Sequence, residues 1–169
     1  MAKEISVRIE GTRELQAAIV RYGERALFVV ARALYEEAER IMTVSKQLVP
    51  VGVTGNLRNS GFVAAPQVGV GLRDVEVVLG YGGPAATHAI YVHEGVGPAV
   101  GRPAFFPPPA AFEAWAAKKP GDRRLAFVVA RSVGARGFEG KKFLERPFRA
   151  AAVGMGGRVA NRIRRELGG

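Results

Sequence analysis

From Leu27 to Leu48 the apolar residues fall three and four apart, and this pattern constrains the fold more than any other feature of the chain. Leu27, Val30, Ala31, Leu34, Ala38, Ile41, Ser45 and Leu48 form one mostly apolar face. Arg25, Arg32, Glu36, Glu39 and Lys46 lie elsewhere on the wheel. A helical region is therefore expected from Arg13 to Leu48, with Thr12 as N-cap and a break or bend at Tyr22-Gly23. Pro50 closes it, because a proline disfavours helical geometry in the residue before it. A helix of this length with one oily face must bury that face against another layer.

The other layer is signalled on both sides of the helix. Ile5, Val7 and Ile9 alternate with polar neighbours, which predicts a strand. After the turn residues of VGVTGNLRNS, strands are expected over 57–65 and 68–81, paired as a hairpin around Pro66-Gln67. Val75, Val77 and Leu79 alternate within the second. HAIYVHEG at 88–95 reads as a further short strand. Residues 95–109, GVGPAVGRPAFFPPP, form a Gly/Pro-rich loop carrying Phe105 and Phe106. Short helices are expected over 110–118 and from an Asp122 N-cap to Val133. Pro147 suits the first turn of a last helix whose face holds Phe148, Ala152, Met155, Val159, Ile163 and Leu167. Gly154, Gly156 and Gly157 weaken that helix in its middle. The order gives one α+β domain over 1–169, with a small antiparallel sheet packed against a long N-terminal helix and C-terminal helices.

The chain of 169 residues lacks cysteine, which excludes a disulfide framework and a thiol nucleophile. No apolar leader opens it, and no apolar run approaches the roughly 20 residues of a membrane helix, so no membrane partner is expected. The net charge of +10 is unevenly spread: residues 118–169 hold fourteen Lys/Arg against four Asp/Glu. Such a patch suits phosphate or an acidic protein surface. Arg158, Arg162 and Arg165 of the last helix are the candidate contacts for either.

Catalytic constellations are absent from the sequence. His88 and His93, with Glu94 beside the latter, match no metal motif, and on a strand the two would point to opposite faces. There is no GxSxG elbow, no phosphate loop, and GMGGR at 154–158 follows no strand. Glu36, Glu37 and Glu39 read as a solvated helix face. No enzyme activity, metal or cofactor is expected.

Three segments then stand in order: LVPVGVTGNLRNS at 48–60, HAIYVHEGVG at 88–97 and KKFLERPFRAA at 141–151. Placed after a long amphipathic helix, this order resembles the neck and tail-completion family of siphophages, also called minor tail components. Members typically read VPxDTGxLRxS, then YAxYVExG, then PFLRPA before a last helix. The stretch RRLAFVVARSVGARGFEGKKFL at 123–144 is similar to a segment of tail-component relatives. This chain departs from the pattern where Gly52 or Val53 replaces Asp, where His93 precedes Glu94, and where Glu145-Arg146 interrupts the final motif.

The resemblance implies a structural virion protein at the head–tail junction, made in the host cytoplasm. It would form a homo-oligomeric ring, six- or twelve-fold, between a portal-side adaptor or head-closure protein and the tail-tube protein. DNA would pass through the lumen without sequence recognition. The motif residues it marks are Pro50, Thr54, Gly55, Asn56, Leu57, Arg58, Tyr91, Glu94, Gly95, Phe143, Leu144 and Pro147. In physical terms Gly55 is expected at positive φ in a tight turn, and Glu94 is expected to accept hydrogen bonds from that turn or from Arg58. Phe143 and Leu144 are expected to anchor the last helix to the sheet. Phe105 and Phe106 are candidate partner contacts. The alternative function is a basic, sequence-independent nucleic-acid-binding protein.

Overall fold

The computed structural model describes residues 5–10, 23–52, 55–69, 74–119 and 124–167. The chain divides into two compact units. The first comprises Ile5–Leu48, Gly61–Tyr81 and Phe143–Gly169; the second comprises Met1–Glu4, Val49–Ser60 and Gly82–Lys142.

The first unit is the α+β body expected from the pattern: a small antiparallel sheet, a long N-terminal helix and a C-terminal helix. Strand β1 (Ile5–Glu10) pairs along one edge of β4 (Val75–Tyr81). The other edge of β4 carries β2 (Gly61–Val63) and β3 (Gln67–Val68). Residues 61–68 are thus one edge strand broken at Ala64–Pro66, with Ala64 N–H still reaching Val78 O at 2.7 Å. Pro66 has no N–H to give and is tolerated on an edge. The hairpin does not turn at Pro66-Gln67 as the sequence suggested; the chain reverses after Gly69, whose N–H bonds Asp74 O at 3.0 Å. Val75, Val77, Leu79 and Tyr81 are all buried on one face of β4, which the period-two pattern requires.

Helix α1 (Glu24–Leu48) packs on this sheet. Its buried face contains the expected Leu27, Val30, Leu34, Ala38, Ile41 and Ser45, widened by Ala26, Ala33 and Met42. Leu48, the last residue of the helix, is exposed. Gly23, at φ 68, precedes the helix. Residues 11–22, including the Thr12 cap, and Asp122 lie outside the described residues.

Helix α6 (Glu145–Leu167) lies against α1 and buries Pro147, Val159 and Ile163. It is kinked at Val153 (ψ 112) and Gly154 (φ 78). The kink follows from the glycine-rich middle, since Gly154 takes a left-handed conformation at no steric cost. Phe143 and Leu144 are fully buried just before α6. The Phe143 ring meets Tyr81 of β4 edge-on, with centroids 4.9 Å apart.

Besides two 3-10 helices, Pro84–Ala86 and Gly97–Val100, the described residues of the second unit form five short elements and one longer helix. These are α2 (Asn56–Asn59), α3 (Ala89–Glu94), β5 (Gly95–Val96), α4 (Ala110–Ala116), α5 (Arg124–Arg136) and β6 (Phe138–Glu139). Residues 88–95 are therefore not a strand: 89–94 form a helix, and extended pairing begins only at Gly95. Likewise Leu57 lies on α2, not on a strand. No helix among the described residues is long and apolar enough to cross a membrane.

Candidate functional site

Within the second unit, the segment HAIYVHEGVG is fastened to GFEGKK by backbone hydrogen bonds. Gly95 pairs with Glu139 and Val96 with Phe138. The carbonyls of Val92 and His93, at the end of α3, accept the N–H groups of Lys141 and Lys142 at 3.0 and 3.1 Å. Helix ends leave such carbonyls without internal partners, so the docking satisfies them. Lys142 is held at φ 48, a left-handed conformation that is uncommon for a residue with a side chain. Its ammonium reaches Glu94 Oε2 at 2.5 Å, and His93 Nδ1 lies 2.8 Å from Glu94 Oε1.

Glu94 is thus a paired carboxylate, but its partners are Lys142 and His93 instead of the turn or Arg58. Arg58 donates to Val49 O at 3.3 Å. His93 is buried on a helix instead of standing on the strand read at 88–95. The Lys142 hydrogen bond lowers the Glu94 pKa, with a smaller lowering from His93, against the opposing effect of burial. A depressed folded-state pKa stabilises the fold above the unfolded-state pKa, and this contribution is lost as pH falls through the folded value. Lys142→Met is expected to move the Glu94 midpoint upward in a carboxyl NMR titration. An unmoved midpoint would show that the ammonium does not hold it down.

The first unit holds a second polar cluster. Glu37 is almost wholly buried on α1, its side chain 7% exposed, and accepts from both Arg40 and Arg158. Arg158 Nη2 lies 2.7 Å from Glu37 Oε2, and its Nε reaches both carboxylate oxygens at 3.2 Å. The same guanidinium donates to Ala151 O at 2.8 Å and Val153 O at 3.2 Å, carbonyls at the kink in α6. Arg158 therefore caps the first half of α6 and ties the second half to α1. Arg162 pairs with Glu36 and with Glu166. These bonds raise the pKa of Arg158, through Glu37, and of Arg162, through Glu166 and then Glu36. The Arg162 hydrogen bond likewise lowers the pKa of Glu36.

Two of the three arginines assigned to an acidic partner or nucleic acid are thus engaged by carboxylates of their own chain. Arg165 is exposed beside them. Arg158→Ala is expected to destabilise the first unit by about 2 kcal/mol, below the usual cost of breaking a fully buried pair because Arg158 is half exposed. Replacing both partners, as Glu37→Leu with Arg158→Met, is expected to recover part of that loss in urea melts. Equal stability of wild type and Arg158→Ala would remove the capping role.

The remaining motif residues are scattered. Gly55 stands at φ 67, as the turn requires, just before Asn56 and the buried Leu57. Thr54 lies outside the described residues, and Pro50 is exposed. Tyr91 is half exposed and stacks on Phe105, with centroids 6.2 Å apart. Phe105 and Phe106 are both exposed. Sequence reasoning missed Glu37, Lys142, and the exposed Phe127 and Val128 of α5. For Glu37 the signal was present, since it sits three residues after Leu34 and four before Ile41, on the buried side of the wheel.

No group of three or more His, Asp or Glu side chains suited to a metal occurs among the described residues. No protein-family model, no curated protein and no solved structure matches the chain.

Proposed function

We propose that the chain is a structural subunit of the head–tail junction of a long-tailed bacteriophage, forming a ring between portal-side and tail-tube proteins. The order of the segments at 48–60, 88–97 and 141–151 supports this reading. The observation that carries it is the surface. Large apolar side chains stand exposed in both units: Phe28 and Val153 at 78% in the first, and Val51 at 63% in the second. Such groups mark surfaces that are covered in an assembly. In a closed ring each subunit presents two different faces to identical neighbours, so apolar groups on more than one surface are expected.

The functional work is assembly, and no step of it needs bond chemistry. The nucleic-acid reading is weakened because Arg158 and Arg162 are already bonded to Glu37 and Glu36. A phage lacking this chain is expected to make filled heads and free tails that do not join, with joining restored when the protein is supplied. Infectious particles formed without it would contradict the proposal.

A further inference from the structure

We propose that the exposed face of α5, with the groove beside it, docks an acidic segment of a different protein that inserts an apolar side chain. The exposed residues of α5 are Arg124, Phe127, Val128, Arg131, Ser132, Ala135 and Arg136. They recur at three and four and form one stripe along the helix, opposite the buried Ala126, Ala130 and Gly134. A solvated helix face ordinarily mixes both signs of charge. This one has Phe127 and Val128, at 57% and 58% exposure, at its centre, and no carboxylate from Arg124 to Arg136.

The loop at 102–109 extends the surface. Phe106 lies directly on Gly134, where an added Cβ would come within 2.0 Å of its ring. With Pro107–Pro109, Phe127, Arg131 and Ala135 it lines an open, mainly apolar groove. Arg131 and Arg136 make no ion pair with any described residue, in contrast to Arg158 and Arg162.

Charge decides the occupant. Two copies meeting through α5 would set arginine against arginine. Nucleic acid would satisfy the arginines and find stacking faces on Phe106 and Phe127, but Ala130, Ala135 and Pro107–Pro109 make the rest of the groove aliphatic. They suit a Leu or Phe anchor flanked by Asp or Glu, as in a helix laid into a groove. This inference rests on the assembly reading for the partner's being a virion protein. Ring formation is read by light scattering and docking by titration, so either can fail alone.

The test is fluorescence anisotropy on the full chain at physiological salt, with three probes. One is a short peptide with Leu at helical spacing and Glu between; the second has Ser for each Leu; the third is oligo-dT. The Glu/Leu peptide is expected to bind, with the Glu/Ser peptide, Phe127→Ser and Arg131→Glu each weakening binding about tenfold or more. Both variants alter exposed side chains and are expected to keep the wild-type circular dichroism spectrum and melting curve. The proposal is overturned if the Glu/Leu peptide does not bind, or if the two peptides bind equally. It is also overturned if either variant binds unchanged, if oligo-dT binds more tightly in a Phe127-dependent way, or if Phe127 mediates self-association.

Discussion

Phe143→Ala is expected to destabilise the first unit by roughly 3–5 kcal/mol, the range for deleting a buried aromatic ring. Phe143 is fully buried and meets Tyr81 edge-on at 4.9 Å. Tyr81 is itself fully buried, and its hydroxyl bonds Ser45 Oγ of α1 at 2.9 Å. One ring therefore connects the start of α6, strand β4 and, through Tyr81, helix α1. Its loss leaves a cavity and removes an aromatic pair worth about 0.5–1.5 kcal/mol beyond burial. Urea melts followed by circular dichroism measure the cost, and Phe143→Leu is expected to retain about half of it because the larger residue fills more of the space. A loss below about 1 kcal/mol for the alanine variant would show that the ring does not hold these elements together.

Gly137→Ala is expected to cause a comparable loss in the second unit. Gly137 follows α5 at φ 70, and its N–H caps the helix on Val133 O at 2.8 Å. An added Cβ would stand 2.0 Å from Val96 O, inside the β5–β6 contact. The left-handed conformation alone costs about 1–3 kcal/mol for a residue with a side chain. The clash with a backbone oxygen adds to this, since a carbonyl cannot rotate away as a flexible side chain can. Hydrogen exchange at Val96 and Phe138 is expected to quicken markedly in this variant. Gly157→Ala is the control, because nothing lies within 4 Å of its Cβ position. It is expected to be neutral or slightly stabilising. Unchanged protection in Gly137→Ala would mean that the two segments are not held at that point.

How much of this was legible in the sequence depends on how local each cause is. Helix α1 was legible because its apolar face repeats over many turns, and β4 because Val75, Val77 and Leu79 alternate cleanly. Residues 89–94 were misread because a short apolar run with β-branched Ile90 and Val92 fits strand and helix alike. What decides the case is tertiary: as a helix end, this segment offers the Val92 and His93 carbonyls to Lys141 and Lys142. The edge strand at 61–68 was placed, but its reversal was set one turn too early, because Pro66 interrupts the edge without reversing it. The basic character of the C-terminal third was plain, but its use was not. Arg158 reaches Glu37 across 121 residues, and Phe106 reaches Gly134 through a loop. Neither separation leaves a local pattern, so the arginines bonded within the chain could not be told from Arg131 and Arg136 of α5, which face outward.

The proposed function requires that this chain build a ring. Light scattering after size exclusion on the purified 169-residue chain, with negative-stain images of the main peak, tests this. A closed oligomer with a central hole is expected, its mass a whole multiple of the 18.0 kDa chain. A monomer at every concentration, with no rings on the grids, would contradict it.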